Sequence, residues 1–248
     1  MDESFEVDDW VESSKDDLYS FDMDLKRKKY HNCLYHLQLS SEKIAKATLL
    51  NIPFSSKKSD SDLKELSNLI MEPRDYGHQW RKKFIEQIEK AINIPFFSPL
   101  VSSFLKETDV SDPQTTILNA KNVEDIKNPK SKDIDTVLNI CNEILDQSEN
   151  KTLDHEIAKK IHELIPIMNN QSKFAIDKDD IEKMIKTLII YVHNIISLEA
   201  LLILSTLLSP FYTNRYPSKS DINVFVPKLK KIKETIERSI KIVENYKI

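Results

Sequence analysis

A single glycine, Gly77, serves all 248 residues of this chain. At the ordinary glycine frequency of roughly 7%, about 17 would be expected. The shortage excludes whole chemistries. A P-loop, a dinucleotide-binding fingerprint and a nucleophile elbow each need glycines at fixed offsets, where the backbone approaches a phosphate or turns sharply. Tight β-hairpins lean on Asn-Gly, Asp-Gly and Gly-Gly for positive φ, and none of these dipeptides occurs here. Glycine-loop α/β enzymes and all-β sandwiches are set aside, and the expectation is an all-α protein.

Apolar residues at spacings of three and four predict where the helices lie. The first runs over about 7–25, with Trp10, Leu18, Phe21 and Leu25 among acids. The second covers about 29–50, with Leu34, Leu37, Ser41, Ile44, Ala45 and Thr48 on one face and Glu42, Lys43 and Lys46 on the others. A short helix over 63–70 must end near Pro73, and another over 76–92 carries Gly77 in its first turn. Prolines and polar residues make 95–133 a region of linkers and short helices. Helices over 134–147 and 153–168 follow, then a long apolar segment from 177–180 through Leu208 that is expected to stop at Pro210. The last helix, 220–246, places Phe225, Leu229, Ile232, Ile236, Ile240 and Val243 on one stripe, with Pro227 fitting only in its first turns.

Runs such as Ile195-Ile196 and Leu201-Leu202-Ile203-Leu204 are apolar enough to raise a membrane span. Lys186, His193, Asn194 and Glu199 oppose it, because a central carboxylate is costly in lipid. The segment is read as a buried core helix, with no membrane partner. Cys33 and Cys141 are far apart and the N-terminus is acidic rather than basic then apolar, so the expectation is two reduced, buried thiols in a cytoplasmic protein.

Net charge is -4, but it is unevenly spread: residues 1–25 hold ten acids and one lysine, residues 211–248 nine Lys+Arg and four acids. Two oppositely charged helices lying side by side explain this as well as an external partner does.

Four pieces in order resemble one module. They are Asp8-Asp9-Trp10 with Asp16-Asp17-Leu18 on the first helix, and His36-Leu37-Gln38-Leu39-Ser40-Ser41-Glu42-Lys43-Ile44-Ala45-Lys46-Ala47 on the second. Tyr76-Gly77-His78 comes third. Phe211-Tyr212-Thr213-Asn214-Arg215-Tyr216-Pro217 leads into the last helix. This series resembles the HEPN family (higher eukaryotes and prokaryotes nucleotide-binding). The resemblance covers 7–94 and 184–247 as one discontinuous up-and-down helical bundle, and leaves 96–182 as an inserted helical subdomain of unassigned role. It implies a homodimer, found in toxin–antitoxin, defence and nucleotide-binding settings, whose members include RNases with an Arg and a His four to six residues apart.

No His follows Arg215 within that reach. The chain is therefore expected to be a non-catalytic module that binds a nucleotide, RNA or a protein partner, the last through residues 96–182. A phosphate-bearing ligand would be held by Lys43, Lys46, Tyr212 and Arg215, since a guanidinium fork beside ammonium groups suits phosphate oxygens. The competing reading makes Glu42–Lys46 a surface ion pair and Tyr212 with Arg215 a structural pin. An RNase alternative uses Arg74 and His78 as clamp and base, against His78 as a helix-start residue; a third alternative is a purely structural helical adaptor. His31, Cys33 and His36 do not share a helix face, so neither metal nor cofactor is expected. The lysines of the last helix are read as a solvated face or as partners for the acidic first helix.

Overall fold

The computed structural model describes residues 6–51, 131–150, 152–171, 177–213 and 219–247. Among them all regular structure is helical, as the glycine shortage predicts. Helix α1 spans Val7–Lys26 and α2 spans Tyr30–Leu50. Asp8 and Asp9 sit in the first turn of α1, where they complement the helix dipole, and the Asp9 carboxylate accepts the Glu6 N–H at 2.9 Å. The buried stripe Val11, Leu18 and Phe21 then packs against α2. Ser14 meets Ser40 at 2.8 Å and the Cys33 thiol donates to the Phe21 carbonyl at 3.8 Å, so the two helices run antiparallel.

Between them the chain reverses in three residues. Lys28 N–H donates to the Leu25 carbonyl at 3.0 Å and Lys29 N–H to the Asp24 carbonyl at 2.9 Å, the bonding pattern of a Schellman motif. The motif needs a left-handed residue, and Lys28 takes φ 57° where glycine is the usual occupant.

Helix α3 (Ser131–Glu149), α4 (Leu153–Gln171) and α5 (Lys178–Thr213) follow. After them come α6 (Lys219–Phe225), a 3-10 turn (Val226–Lys228) and α7 (Leu229–Asn245). Two expected boundaries are corrected. Helix α5 does not stop at Pro210 but continues to Thr213, because a proline near a helix end removes one ladder bond while its neighbours persist. The last helix is not continuous: the 3-10 turn containing Pro227 divides it. The helices expected over 63–70 and 76–92 lie outside the described residues.

α5 is the axis of the fold and packs against α2, α3, α4 and α7. Its segment Lys178–Ser205 is long and apolar enough by composition to cross a membrane, yet 89% of the most apolar window is buried inside the fold. Leu34, Leu37 and Ile44 of α2, Leu138 and Leu145 of α3 and Ile232 and Ile236 of α7 share one core with it. α3 thus shares that core although residues 131–149 fall within the span read from sequence as an insertion. Cys141 donates to the Ala200 carbonyl and Ser148 meets His193, which makes α3 antiparallel to α5.

The contrast in charge resolves inside the molecule. Lys233 of α7 binds Asp22 of α1 at 2.8 Å, Lys15 binds Glu244 at 2.8 Å, and Lys247 binds Asp8. On the other flank of α7, Arg238 reaches Asp146 at 2.6 Å and Glu149 at 2.7 Å, and Lys228 reaches Asp135 at 2.6 Å. The acidic first helix and the basic last helix are neighbours, as the simpler reading of their charges expects.

Candidate functional site

The motif-bearing face of α2 opens onto a groove shared with α1. Lys43 Nζ lies 2.6 Å from Asp17 and donates to the Ser13 carbonyl at 3.2 Å. Asp17 also faces His36 Nδ1 at 3.3 Å, and the other ring nitrogen lies 3.7 Å from Asp24. One turn further along, Lys46 binds Glu42 at 2.8 Å and lies 4.8 Å above the Trp10 ring, a cation–π arrangement. Both lysines predicted to hold phosphate therefore share a face, and each already has a carboxylate against it.

Of the other predicted ligands, the backbone of Tyr212 stands apart from this groove. The Asn51 amide at the end of α2 donates to Asn194 of α5 at 3.2 Å, and α5 runs antiparallel to α2 from there. At 1.5 Å per residue, the backbone of Tyr212 lies about 15 Å along the bundle from the level of Lys43. Arg215, Arg74 and His78 lie outside the described residues, as does Gly77.

Among the described residues no group of three His, Cys, Asp or Glu side chains is placed to hold a metal. His31, Cys33 and His36 diverge as their helical spacing predicts: the Cys33 thiol is buried against Phe21 and His36 turns to the α1 acids. Burial pushes the Cys33 thiol up to about 11 and the Cys141 thiol higher still. Both are free cysteines held in the protonated, unreactive form.

A second polar constellation escapes local sequence reasoning. His193 and Asn194, in the middle of the apolar run of α5, collect the helix ends at one end of the bundle. His193 Nδ1 lies 2.6 Å from the Ser148 hydroxyl in the last turn of α3, and Nε2 lies 2.7 Å from Asp154 in the first turn of α4. The imidazole stacks on the Tyr246 ring beyond α7, centroids 3.6 Å apart and 7° from parallel. The Tyr246 carbonyl accepts from the amides of both Asn194 and Asn51. Burial draws the His193 pKa below its ordinary value, opposed by the hydrogen bond to Asp154.

Ser148, His193 and Asp154 have the connectivity of a nucleophilic triad but not its exposure. The serine is 5% exposed and the imidazole 0%, whereas the Asp154 side chain is 45% exposed. Solvent reaches the carboxylate end instead of the hydroxyl, so no substrate carbonyl could meet this serine, and the group is a tie between helices. The signal available in sequence was two adjacent polar residues inside the apolar run 188–208; their partners are 45, 39 and 52 positions away.

The all-helical fold agrees with the family comparison that matches. No curated protein and no solved structure matches the chain. A family model described as the HEPN domain matches residues 7–151, more than half of the 248. The chain belongs to the HEPN domain family.

Proposed function

We propose that this chain is a non-catalytic HEPN module whose chief partner is a protein, either a second copy of itself or a cognate chain in a toxin–antitoxin or defence setting. One observation carries the reading: the lysines of the motif face, and Lys233 and Arg238 of the terminal helix, are spent on the fold's own acids. Lys43 is held by Asp17, Lys46 by Glu42, Lys233 by Asp22, and Arg238 by Asp146 and Glu149. A phosphate ligand at the motif face would have to displace those acids; the exposed basic side chains lie elsewhere, at Lys26, Arg27, Lys28 and Lys29 and at Lys230, Lys231 and Lys241. The setting rests on the family alone. Two free, buried cysteines suit a reducing compartment such as the cytoplasm.

A second reading, nucleotide binding by Lys43, Lys46, Tyr212 and Arg215, draws support from Trp10. An indole with the Lys46 ammonium over its ring puts an aromatic surface beside one of the two proposed phosphate ligands. With Tyr212 about 15 Å away along the bundle, a ligand touching the whole set would need the length of a nucleotide. The RNase alternative through Arg74 and His78 predicts RNA cleavage that His78→Ala abolishes.

The test is a light-scattering mass of the full chain, alone and with ATP, together with calorimetric titration of ATP into wild type, Lys43→Ala and Arg215→Ala. A dimeric mass without saturable ATP binding supports the protein-partner reading. Saturable ATP binding lost in both variants, each with unchanged melting, replaces it with the nucleotide reading.

A further inference from the structure

α1 carries a second stripe besides its buried one. Asp9, Glu12, Asp16, Tyr19, Met23 and Lys26 recur at alternating spacings of three and four, which lines them along the side of the helix turned away from Val11, Ser14, Leu18 and Phe21. Tyr19 is 69% exposed, the most open large hydrophobic side chain among the described residues. Asp9, Glu12, Asp16 and Lys26 are exposed with it, and Met23 is half-buried. Charge along the stripe is segregated: acids on the N-terminal half, Tyr19 and Met23 in the middle, and Lys26 followed by Arg27, Lys28 and Lys29 at the far end.

These charges differ from those that α7 engages. Among the described residues Asp16, Lys26 and Arg27 make no ion pair, and Glu12 meets only Lys15 of its own helix, with 70% of its side chain exposed. α7 runs antiparallel to α1, since Asp22 meets Lys233 and Lys15 meets Glu244. The exposed Lys230 therefore falls near the level of Lys26 and widens the basic end.

We propose that this face is the seam of a twofold dimer, in which α1 packs antiparallel on α1 of a second copy of the chain about an axis at Tyr19. The proposal rests on the protein-partner reading and names the surface and the partner. Glu12 lies seven positions before Tyr19 and Lys26 seven after it. Turning one copy over about Tyr19 thus sets Glu12 of each against Lys26 of the other, brings Asp9 toward the basic turn, and stacks the two tyrosines at the centre. A parallel alignment would set acid on acid and base on base, which complementarity forbids. The same patch serves both copies, so the assembly closes at two. α1 is about 30 Å long, and a single helix pair buries less on each copy than the roughly 800 Å² of a standard interface. Such a dimer is weak, and charge sets its register more than apolar area does.

Sedimentation equilibrium of the full chain at about 50 and about 500 mM salt tests it. The expected result is a dimer at low salt whose dissociation constant rises at least about tenfold at high salt. Glu12→Lys with Asp16→Lys makes the stripe basic at both ends, and Lys26→Glu with Arg27→Glu makes it acidic at both ends. Each double variant alone is expected to be monomeric at low salt, and an equimolar mixture of the two is expected to recover the dimer mass. A mixture that stays monomeric overturns the inference, as does a wild type that is monomeric at low salt. A dimer that survives unchanged in either variant alone overturns the α1 seam and leaves the protein-partner reading standing. Should a variant melt early, Tyr19→Cys decides. With Cys33 and Cys141 buried, a short bismaleimide is expected to join two copies at low salt and far fewer at high salt. No covalent dimer, or a yield that ignores salt, overturns the inference.

Discussion

The α1–α2 groove and the collar around His193 solve the same problem, joining helices, with opposite materials. In the groove, Phe21, Leu18 and Leu34 form an apolar seam, and charges line its rim: Lys43 with Asp17, Lys46 with Glu42, His36 between two acids. In the collar the joining groups are mostly neutral and buried, and each has a specific partner. Ion pairs as buried as these, with Lys43 and Asp17 24% and 10% exposed and Lys46 and Glu42 14% each, contribute little net while intact, because desolvation offsets the attraction, but removing one partner leaves the other charge uncompensated. Buried hydrogen bonds also add modestly when intact, but removing one partner leaves the other desolvated and unsatisfied. The groove therefore depends on its charges staying matched, and the collar on its imidazole keeping both partners.

Substitutions in each region can break that contrast. The largest expected effect comes from the seam: Phe21→Ala, at a fully buried position, should cost about 4 kcal/mol in urea unfolding. Next is His193→Ala, expected to cost about 3 kcal/mol, since it empties a buried site and strands Ser148. A loss below about 1 kcal/mol there would mean that the collar is no more than a set of surface contacts. Lys28→Gly should stabilise by about 1 kcal/mol, relieving a left-handed lysine in the turn; thermal melting checks it. Smallest is Lys15→Met, whose pair with Glu244 is far more exposed than those of the groove, expected to change stability by less than about 1 kcal/mol, with the difference shrinking further in high salt.

The groove was also the more legible of the two regions. Period-3.6 spacing exposed the buried stripes of α1, α2 and α7, and the charge contrast between residues 1–25 and 211–248 anticipated pairs such as Asp22–Lys233. The i, i+4 spacing of Glu42 and Lys46 anticipated theirs. The collar was hidden because helical periodicity is local, while Ser148, Asp154, His193 and Tyr246 meet only once four helix ends converge. Lys28 was hidden for another reason: lysine carries no signal for positive φ, and a chain with one glycine must place some other residue there. Pro210 misled because a proline ends a helix in the average sequence, whereas α5 reaches Thr213. Of the predicted ligand set, sequence placed Lys43 and Lys46 on one face of α2, but axial distance to Tyr212 depends on the register between α2 and α5, which the Asn51–Asn194 contact sets.

Salt dependence of RNA binding, compared between wild type and a Lys43→Ala, Lys46→Ala double variant, tests most directly the central claim, that the motif-face lysines of this HEPN module are committed to its own acids. With the pairs intact neither lysine meets phosphate, and binding of a generic single-stranded RNA draws on the exposed cations elsewhere. The slope of log K against log salt should therefore be the same in both proteins, because each lost phosphate contact would reduce its magnitude by about 0.7. A slope shallower by about 1.4 in the double variant would contradict the claim, since it requires both lysines to be free to meet phosphate.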